Sequence, residues 1–577
     1  MTRTIFLKID YILGGIILLI LLSPWIIPAD HVFPYQFKVV LYATIFSSLL
    51  LLSKLILNKE WRFTIGKRNF IVLVYFSYLI LRTWMEDLDR ENLLRLISLL
   101  FLYLYFRLCS LKQLWIFVSV LPIVCIPQII YSMYNQAVYY EWDEKVVRIF
   151  GSFFNTGIWG GFCSIMLLIG ICCVTSKSLP RWFKVIHYIM ILLWAFFVWK
   201  SDSRAAWLAV SGGVICWFCS CSYFVKRKKL AIIFLCFTLY VPLLYYLYIY
   251  KQASADGRLL IWGTCMDMWN NKFLWGCGVG NFCHSYMDLQ TRFLSSLPVD
   301  MKYLVDETRH AFNEYLQISV EQGCIGLLFL VILVKVLFFS SQNKKYLSIE
   351  KDAQTTIRCL FIALGIWACF SYPFYHNQIR VICVLFLALN TTILDDKKAL
   401  KVTFSKKCRR SCLILLCILL FNSCYQCLFY HRTCKRWNVA LLKSDIKEMG
   451  SLYPLLRNTP YYLYSYGTML NRFHSGQAIS ILQEAYMANA SYHTLMELGK
   501  AYCIQEDFLN AEKVWYQASA MIPHKFMPYY CLMQMYKDKG ESIKAEEMAN
   551  LILNKPIKIR SARLNEICDE AERMLSK

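Results

Sequence analysis

Charge is what this 577-residue chain has least of. Asp, Glu, Lys and Arg make up 17% of it against 58% hydrophobic residues, and its mean hydropathy is +0.43. A water-soluble domain is less apolar and more charged, so that class is excluded. Acidic residues are the scarcer kind, 38 against 62 basic, which leaves a net charge of +24. In a soluble protein such an excess would point to nucleic acid. Here most of it lies in short loops between apolar runs, where Lys and Arg set membrane orientation, so no nucleic-acid partner is expected. Zinc-type cysteine spacing is missing as well. Cys424 and Cys427 form a CxxC at the end of a span, and Cys216 and Cys219 share that spacing only inside an apolar run, which argues against a zinc site. Many of the 25 cysteines, such as Cys216, Cys219 and Cys221, sit inside apolar runs and read as small buried hydrophobes, so no disulfide framework is expected. The N-terminus lacks a small-x-small cleavage site, and its apolar stretch reads as a first membrane helix rather than a removed signal.

What is abundant is apolar sequence in membrane-length runs. About thirteen spans of roughly twenty residues fit the chain. They are expected near 10–28, 37–57, 69–85, 92–107, 112–134, 156–175, 182–199, 205–224, 230–250, 314–340, 357–372, 378–394 and 411–430. Alternate loops are basic: Lys59, Arg62, Lys67 and Arg68; Lys177, Arg181 and Lys184; 226–229; Lys344, Lys345 and Lys351; and the cluster at 397–410. The intervening loop 29–36 has no Lys or Arg, and 86–91 reads EDLDRE. The basic loops therefore face the cytoplasm and the N-terminus is inside. An odd number of spans puts the C-terminal segment outside. The expected fold class is all-α, a polytopic helical bundle over 1–430 with a large outer loop at about 251–313.

Residues 431–577 are more polar and read as amphipathic helices. In 492–525, Leu498, Gly499, Tyr502, Ala511, Trp515, Ala518 and Pro523 occupy the positions of a tetratricopeptide repeat. Leu532, Tyr536, Ala545, Ala549 and Pro556 repeat the pattern about 34 residues on. Tyr466, Gly467 and Ala478 mark a degenerate copy over 458–491. Small residues let paired helices approach and large ones fill the gap. The alternative is a plain helical bundle.

Four polar stretches lie at the outer ends of spans, where charge beside hydrocarbon is costly and is usually kept for function. In SDSRAAWLA, 201–209, Arg204 could grip a phosphate with two parallel hydrogen bonds, or snorkel to lipid headgroups. In GRLLIWGTCMDMWNNKFLWGCGVGNF, 257–282, Arg258 and Trp262 lie four apart on one helix face. The glycines of WGCGVGNF are not a dinucleotide fingerprint, because no βαβ unit surrounds them. A tight turn is expected there. In RHAFNEYLQISVEQGCIGLL, 309–328, His310 could take a proton near neutral pH, with Asn313, Glu314 and Glu321 orienting it or a sugar. A histidine bonded to backbone is the alternative. In GSFFNTGIWGGF, 151–162, Asn155 opens a span as a helix cap would.

Taken together the four stretches resemble the O-antigen ligase/polymerase family of bacterial inner-membrane glycosyltransferases. GSFFNTG is similar to its G-x-F-x-N-x segment, and SDSRAAWLA to its S-R-small-x-x segment. GRLLIW with FLWGCGVGNF is similar to its R-x-x-x-W and G-x-G-x-x-F segments, and NEYLQISVEQGCIGLL to the segment that opens a span. The match runs from about 150 to 340, with looser likeness over 1–430. The resemblance implies a helical bundle whose periplasmic loop caps a lipid-accessible cavity. It implies transfer of a glycan from undecaprenyl pyrophosphate to a hydroxyl of lipid A core, a growing glycan or a protein, with no cofactor and no metal. Arg204 and Arg258 then hold the pyrophosphate, and His310 is the base. Trp262, Asn155, Asn313 and Glu314 are expected at the substrate. One position departs from the family pattern: Phe312 stands where a His usually precedes the Asn. His284 and His376 are other candidates on the outer side. Two other classes remain in view, a transporter of lipid-linked sugar and a membrane scaffold whose tail recruits a protein partner.

Overall fold

The computed structural model describes residues 2–22, 35–57, 62–86, 90–140, 149–220, 238, 241–338, 347–394, 400–403, 406–558 and 560–576. The basic loop residues Lys59, 226–229, Lys344, Lys345, Lys397 and Lys398, and about half of the span expected at 230–250, lie outside them. The helices of the first part, in chain order, are α1 (Thr2–Leu22), α2 (Tyr35–Leu57), α3 (Lys67–Glu86), α4 (Arg90–Arg107), α5 (Leu111–Val124), α6 (Ile126–Tyr140), α7 (Thr156–Thr175), α8 (Arg181–Lys200) and α9 (Arg204–Ser220). Then come α10 (Val241–Tyr250), α11 (Gln252–Asn271), α12 (Phe282–Ser295), α13 (Val299–Lys302), α14 (Glu314–Phe338), α15 (Ser348–Ala368), α16 (Asn377–Leu394) and α17 (Lys406–Lys443). Two short strands, β1 (Arg62–Ile65) and β2 (Leu400–Thr403), pair antiparallel as a small ribbon in a structure that is otherwise helical, in line with the all-α expectation. It closes two of the loops expected to be basic onto one another.

Among the described residues, six helices are long and apolar enough to cross a membrane: Leu111–Ala137, Thr156–Thr175, Arg181–Lys200, Glu314–Val336, Asn377–Leu394 and Leu413–Lys443. Shorter apolar helices cover Tyr11–Leu22, Ala43–Ile56, Arg204–Ser220 and Val241–Tyr250. The spans expected over 69–85, 92–107 and 357–372 are helical as α3, α4 and α15 but fall outside both groups. In α4 the polar residues Asn92 and Arg95 turn inward to a cavity described below. Helix α17 leaves Ile414, Leu415, Ile418, Leu419 and Phe421 on its outer surface. Leu192 of α8 is similarly bare. Water would not tolerate such continuous apolar faces; lipid does.

The bundle packs around α7, which is apolar all round and buried, as a central helix must be. It contacts α5, α8, α9 and α15. Two adjacent glycines allow this approach. A Cβ on Gly161 would stand 2.0 Å from the Trp367 ring, and one on Gly160 2.4 Å from Ser201 Oγ. Small residues at helix contacts are how membrane helices gain packing without a hydrophobic driving force.

Beyond α17 come α18 (Ile446–Leu456), α19 (Pro460–Arg472), α20 (Gln477–Ala488), α21 (Tyr492–Ile504), α22 (Phe508–Met521), α23 (Met527–Asp538), α24 (Ser542–Leu553) and α25 (Ala562–Leu575), each packed on the next. Gly499 of α21 lies under Trp515 of α22, where a Cβ would meet the indole nitrogen at 2.2 Å. Trp515 in turn donates to Met496 O at 3.3 Å. This tail is not set apart from the loop that carries α11 and α12. Cys265, Met268, Phe282, Tyr286 and Met287 share one apolar core with Tyr492, Trp515, Met521 and Leu532. Gln290 donates to Met521 O at 3.1 Å, and His284 pairs with Ala488 O at 3.2 Å.

Gly499→Val would force Trp515 aside. Overpacking of this kind costs about 1–3 kcal/mol. We expect a lowered thermal midpoint of the full chain by tryptophan fluorescence, against a nearly unchanged midpoint for Gly476→Ala, where φ is −60° and a Cβ would meet Gln505 at an ordinary 3.5 Å.

Candidate functional site

The site forms where three helices begin. Asn313 caps α14: its Oδ1 accepts from the amides of Tyr315 at 3.0 Å and Leu316 at 3.2 Å. Asn155 caps α7 in the same way, accepting from Gly157 at 2.8 Å and Ile158 at 3.2 Å. Arg204 is the first residue of α9. Just ahead of each start stands a non-glycine residue in the left-handed region: Phe154 at φ 52°, Asp202 at φ 49° and Phe312 at φ 50°. For bulky side chains this conformation is strained, and such strain gathers at functional sites. It is also what turns the chain sharply enough to start each helix beside the others.

The 370–376 segment, between α15 and α16, ties these starts together. The Tyr372 ring stacks on His310 at 4.2 Å, and Tyr375 meets His310 at 4.3 Å. Asn155 Nδ2 donates to the Tyr372 hydroxyl at 3.0 Å. Glu314, buried at the start of α14, accepts from the Phe374 amide at 2.6 Å. Arg258 donates to Phe370 O at 2.9 Å and lies over the Phe312 ring, 5.4 Å from its centroid. Arg204 donates to Leu247 O at 2.7 Å. Trp262 donates to Ala311 O at 3.0 Å, so Arg258 and Trp262 do share a face, turned toward the His310 loop. Gln317 accepts from the Ala311 amide at 2.8 Å, which pins that loop from its other side.

The glycine-rich stretch is a turn. Gly276, Gly278 and Gly280 have φ of 71°, 107° and 86°. It docks on a break in α14 at Gly323, whose φ is 64°. The Cys277 amide donates to Val320 O at 2.8 Å, and the Cys324 amide to Phe273 O at 2.9 Å. A Cβ on Gly276 would fall 2.4 Å from the Glu321 carbonyl carbon, so side chains are shut out of this contact. Glu321 accepts from the Gly280 amide at 2.9 Å and from Gln317 at 2.6 Å.

Beside this assembly opens a cavity of about 1580 Å³, larger than the usual 300–1,000 Å³ small-molecule site. His310, Glu314, Arg309 and Tyr372 line it, and so do Arg95 of α4 and Arg380 of α16. Arg204, Arg258, Trp262, Asn155 and Asn313 are not among its lining residues. They lie behind Tyr372, which joins the two groups by its ring on one side and its hydroxyl on the other. The charges of Arg204 and Arg258 act on one another. Those of Arg95 and Arg380 do likewise, with Glu314 and Glu321 opposing them. Arg95 donates to Asn92 Oδ1 at 3.2 Å, and Arg380 to Phe374 O. His376 lies next to Tyr372, and His284, paired with Ala488 O, is itself at the cavity lining.

Arg95 and Arg380 were not among the expected site residues. The signal available for them is an arginine near the edge of an apolar run, at 92–107 and 378–394. Burial, with the Arg309 and Arg380 charges, pulls the His310 pKa down to about 3, so its imidazole is neutral. Burial and the neighbouring Arg204 pull Arg258 down to about 10, still protonated at neutral pH. The chemistry available is a cationic floor for an anion, beside a neutral imidazole that accepts protons. Among the described residues, no three His, Cys, Asp or Glu side chains gather as a metal site.

Residues 165–331 match the family model of the O-antigen ligases. No curated protein matches the chain. The matched stretch contains Arg204, Arg258, Trp262, His310, Asn313 and Glu314, and leaves out Asn155, Arg95, Tyr372, Arg380 and the tail. It supports glycan transfer of the ligase or polymerase kind at the level of the family, and with the apolar helices it supports a membrane protein.

The depressed His310 pKa carries a stability consequence. Unfolded, the imidazole protonates near pH 6.5; folded, it does so only near pH 3. Between these values the unfolded chain binds the extra proton, so stability falls as the pH drops through that window. His310→Phe keeps a ring between Tyr372 and Tyr375 but cannot titrate. We expect the loss of melting temperature between pH 7 and pH 5, at roughly these two readings, to shrink in the variant. An equal loss in both proteins would mean that His310 is hydrated in the fold.

Proposed function

We propose that this chain transfers a glycan from undecaprenyl pyrophosphate to an acceptor hydroxyl, at the periplasmic face of a bacterial inner membrane. The observation that carries this reading is the cavity whose walls change, along α14, from apolar to cationic at His310. Leu330, Leu333 and Val334 line its apolar reach, and Arg95, Arg309 and Arg380 its cationic one. An isoprenoid fits the first and a diphosphate the second. The basic loops support the orientation, with the N-terminus inside and His310 outside.

In this reading Arg204 and Arg258 neutralise the diphosphate from behind Tyr372, helped by the positive starts of α7, α9 and α14. Arg309 and Arg380 approach it from the cavity. Asn155 acts through the Tyr372 hydroxyl, Trp262 holds the His310 loop, and Asn313 and Glu314 fix the start of α14. The acceptor oxygen attacks the anomeric carbon of the reducing-end sugar. The bond from that carbon to the phosphate oxygen breaks, and undecaprenyl pyrophosphate leaves as the anion. The acceptor proton passes to His310 Nδ1 or Nε2. Burial is the larger cause of the low imidazole pKa and the Arg309 and Arg380 charges add to it; a bound diphosphate offsets those charges, so the base strengthens once the donor is in place. Charge neutralisation by guanidinium groups supplies what a metal would otherwise supply, so no metal or cofactor is required. Residues 431–577 are read as a tetratricopeptide-like domain on the same side.

The test is transfer by purified full-length protein, from undecaprenyl-pyrophosphate glycan to lipid A core, glycan or protein acceptors. Loss of one preorganised charge partner costs about 10²–10³ in rate, and that is expected for Arg204→Ala and Arg258→Ala. Loss of a general base costs about 10²–10⁴, expected for His310→Ala. Undiminished transfer by both arginine variants would remove this mechanism. Loss with Arg95→Ala and Arg380→Ala alone would move the diphosphate wholly into the cavity.

A further inference from the structure

The cavity that reaches His310 has a third wall, and the tail supplies it. The α18–α19 corner brings Tyr453, Arg457 and Tyr461 to the lining. Helix α20 brings Ser480, Gln483, Glu484 and Met487. Spacings of three, one and three residues put these four on one helix face. Gln483, Glu484 and Met487 are exposed there rather than packed in the tail core. Tyr453 donates to Glu484 Oε2 at 2.7 Å, and Gln483 donates to the Tyr502 hydroxyl at 2.9 Å. Tyr461 is 46% exposed, and the Arg309 guanidinium both lies over its ring and donates to its hydroxyl. The wall is thus tied to the residue next to His310.

We propose that the cavity-facing side of α18–α20 is a glycan-binding surface, which holds the sugar chain of the donor where it emerges beyond His310. This rests on the transfer reading above and names where its substrate's saccharide lies. A sugar presents C–H faces that pack on aromatic rings, and a rim of hydroxyls that both donate and accept. Tyrosines beside an amide, a carboxylate and a guanidinium match both demands. The order along the cavity adds a second argument. From Glu314 to Val334, across the break at Gly323, α14 reaches at most about 30 Å. Its far end is apolar, its start is cationic, and the tail wall lies past that start. An amphiphile of isoprenoid, diphosphate and saccharide has the same order of chemistry. The wall also carries Leu455 and Met487, which a peptide could use as anchors; its paired polar groups and tyrosine edges favour the glycan.

The probe is the lipid-free glycan released by mild acid from the polyisoprenyl lipids of the cells that make this chain. It is titrated into the full-length protein in lipid nanodiscs and followed by calorimetry. We expect saturable binding, weakened at least about tenfold in Kd by the double change Gln483→Ala, Glu484→Ala. Ile543→Ala, exposed on α24 away from the cavity, should bind as the wild type does. Equal melting temperatures verify that the double variant folds. Binding unchanged in the double variant overturns the proposal, and so does absence of heat at about 1 mM glycan. Binding of a Ser/Thr-containing peptide in place of the glycan overturns it too, and assigns the wall to a protein acceptor. The probe has neither lipid nor diphosphate. Glycan binding without any transfer therefore upholds the wall while removing the transfer reading.

Discussion

The constraint on which the rest depends is the cost of holding guanidinium groups beside hydrocarbon. A cation there needs oxygen partners that water does not supply. The chain finds them at helix ends, where the last carbonyls have no intrahelical donor. Arg204 takes Leu247 O, in the last turn of α10. Arg258 takes Phe370 O, just past the end of α15. Arg380 takes Phe374 O in the same break. Each of these arginines is held by a carbonyl at or beside a helix end. The break between α15 and α16 is therefore not a passive connection. Its carbonyls hold two cations, its Phe374 amide holds Glu314, and its tyrosines hold His310.

Partners of this kind leave the guanidinium only partly engaged. Arg204 and Arg258 each give one amino group to a carbonyl. A bidentate grip on phosphate uses two parallel N–H groups, so the remaining edge of each fork is what an anion would meet. The same economy applies to the strained residues Phe154, Asp202 and Phe312. Left-handed conformations at such side chains cost of order 1–3 kcal/mol each, and the bundle around α7 is packed closely enough to hold them. The glycine pair 160–161 brings α9 and Trp367 of α15 against α7, which sets the spacing between the helix starts that the strained residues open.

Much of this was legible in local sequence, and what was not shares one cause. Asn155 announces itself as a cap because the signal lies within three residues; Asn313, expected to orient the base or a sugar, caps α14 in the same way. Arg258 and Trp262 share a face because a helix puts positions four apart together. The glycine turn reads correctly because positive φ is a local demand. By contrast, Tyr372 and Tyr375 carry no motif; they matter only because the 370–376 segment folds back on residues 310–314. Arg95 and Arg380 look like any arginine at the rim of an apolar run, and burial alone separates them from one that snorkels. The ribbon of β1 and β2 joins segments more than 300 residues apart, a pairing that no local pattern encodes. The helix face 480–487 is equally silent. A polar stripe on an amphipathic helix reads as solvated surface until something stands opposite it.

What stands opposite it is fixed by a core that crosses the chain. Met268, Phe282, Tyr286 and Met287 of the long loop are buried with Tyr492, Trp515 and Met521 of the tail. A shared apolar core lacks the few contacts and exposed backbone that mark a separately moving domain. Side-chain to backbone bonds from Gln290 and Lys558 add direction to that packing. Arg309 and Tyr461 then close the edge nearest His310. Loosening the tail would therefore move the cavity's third wall and the neighbour of its candidate base together. The geometry of the site is a property of the whole chain, although the family match ends at residue 331.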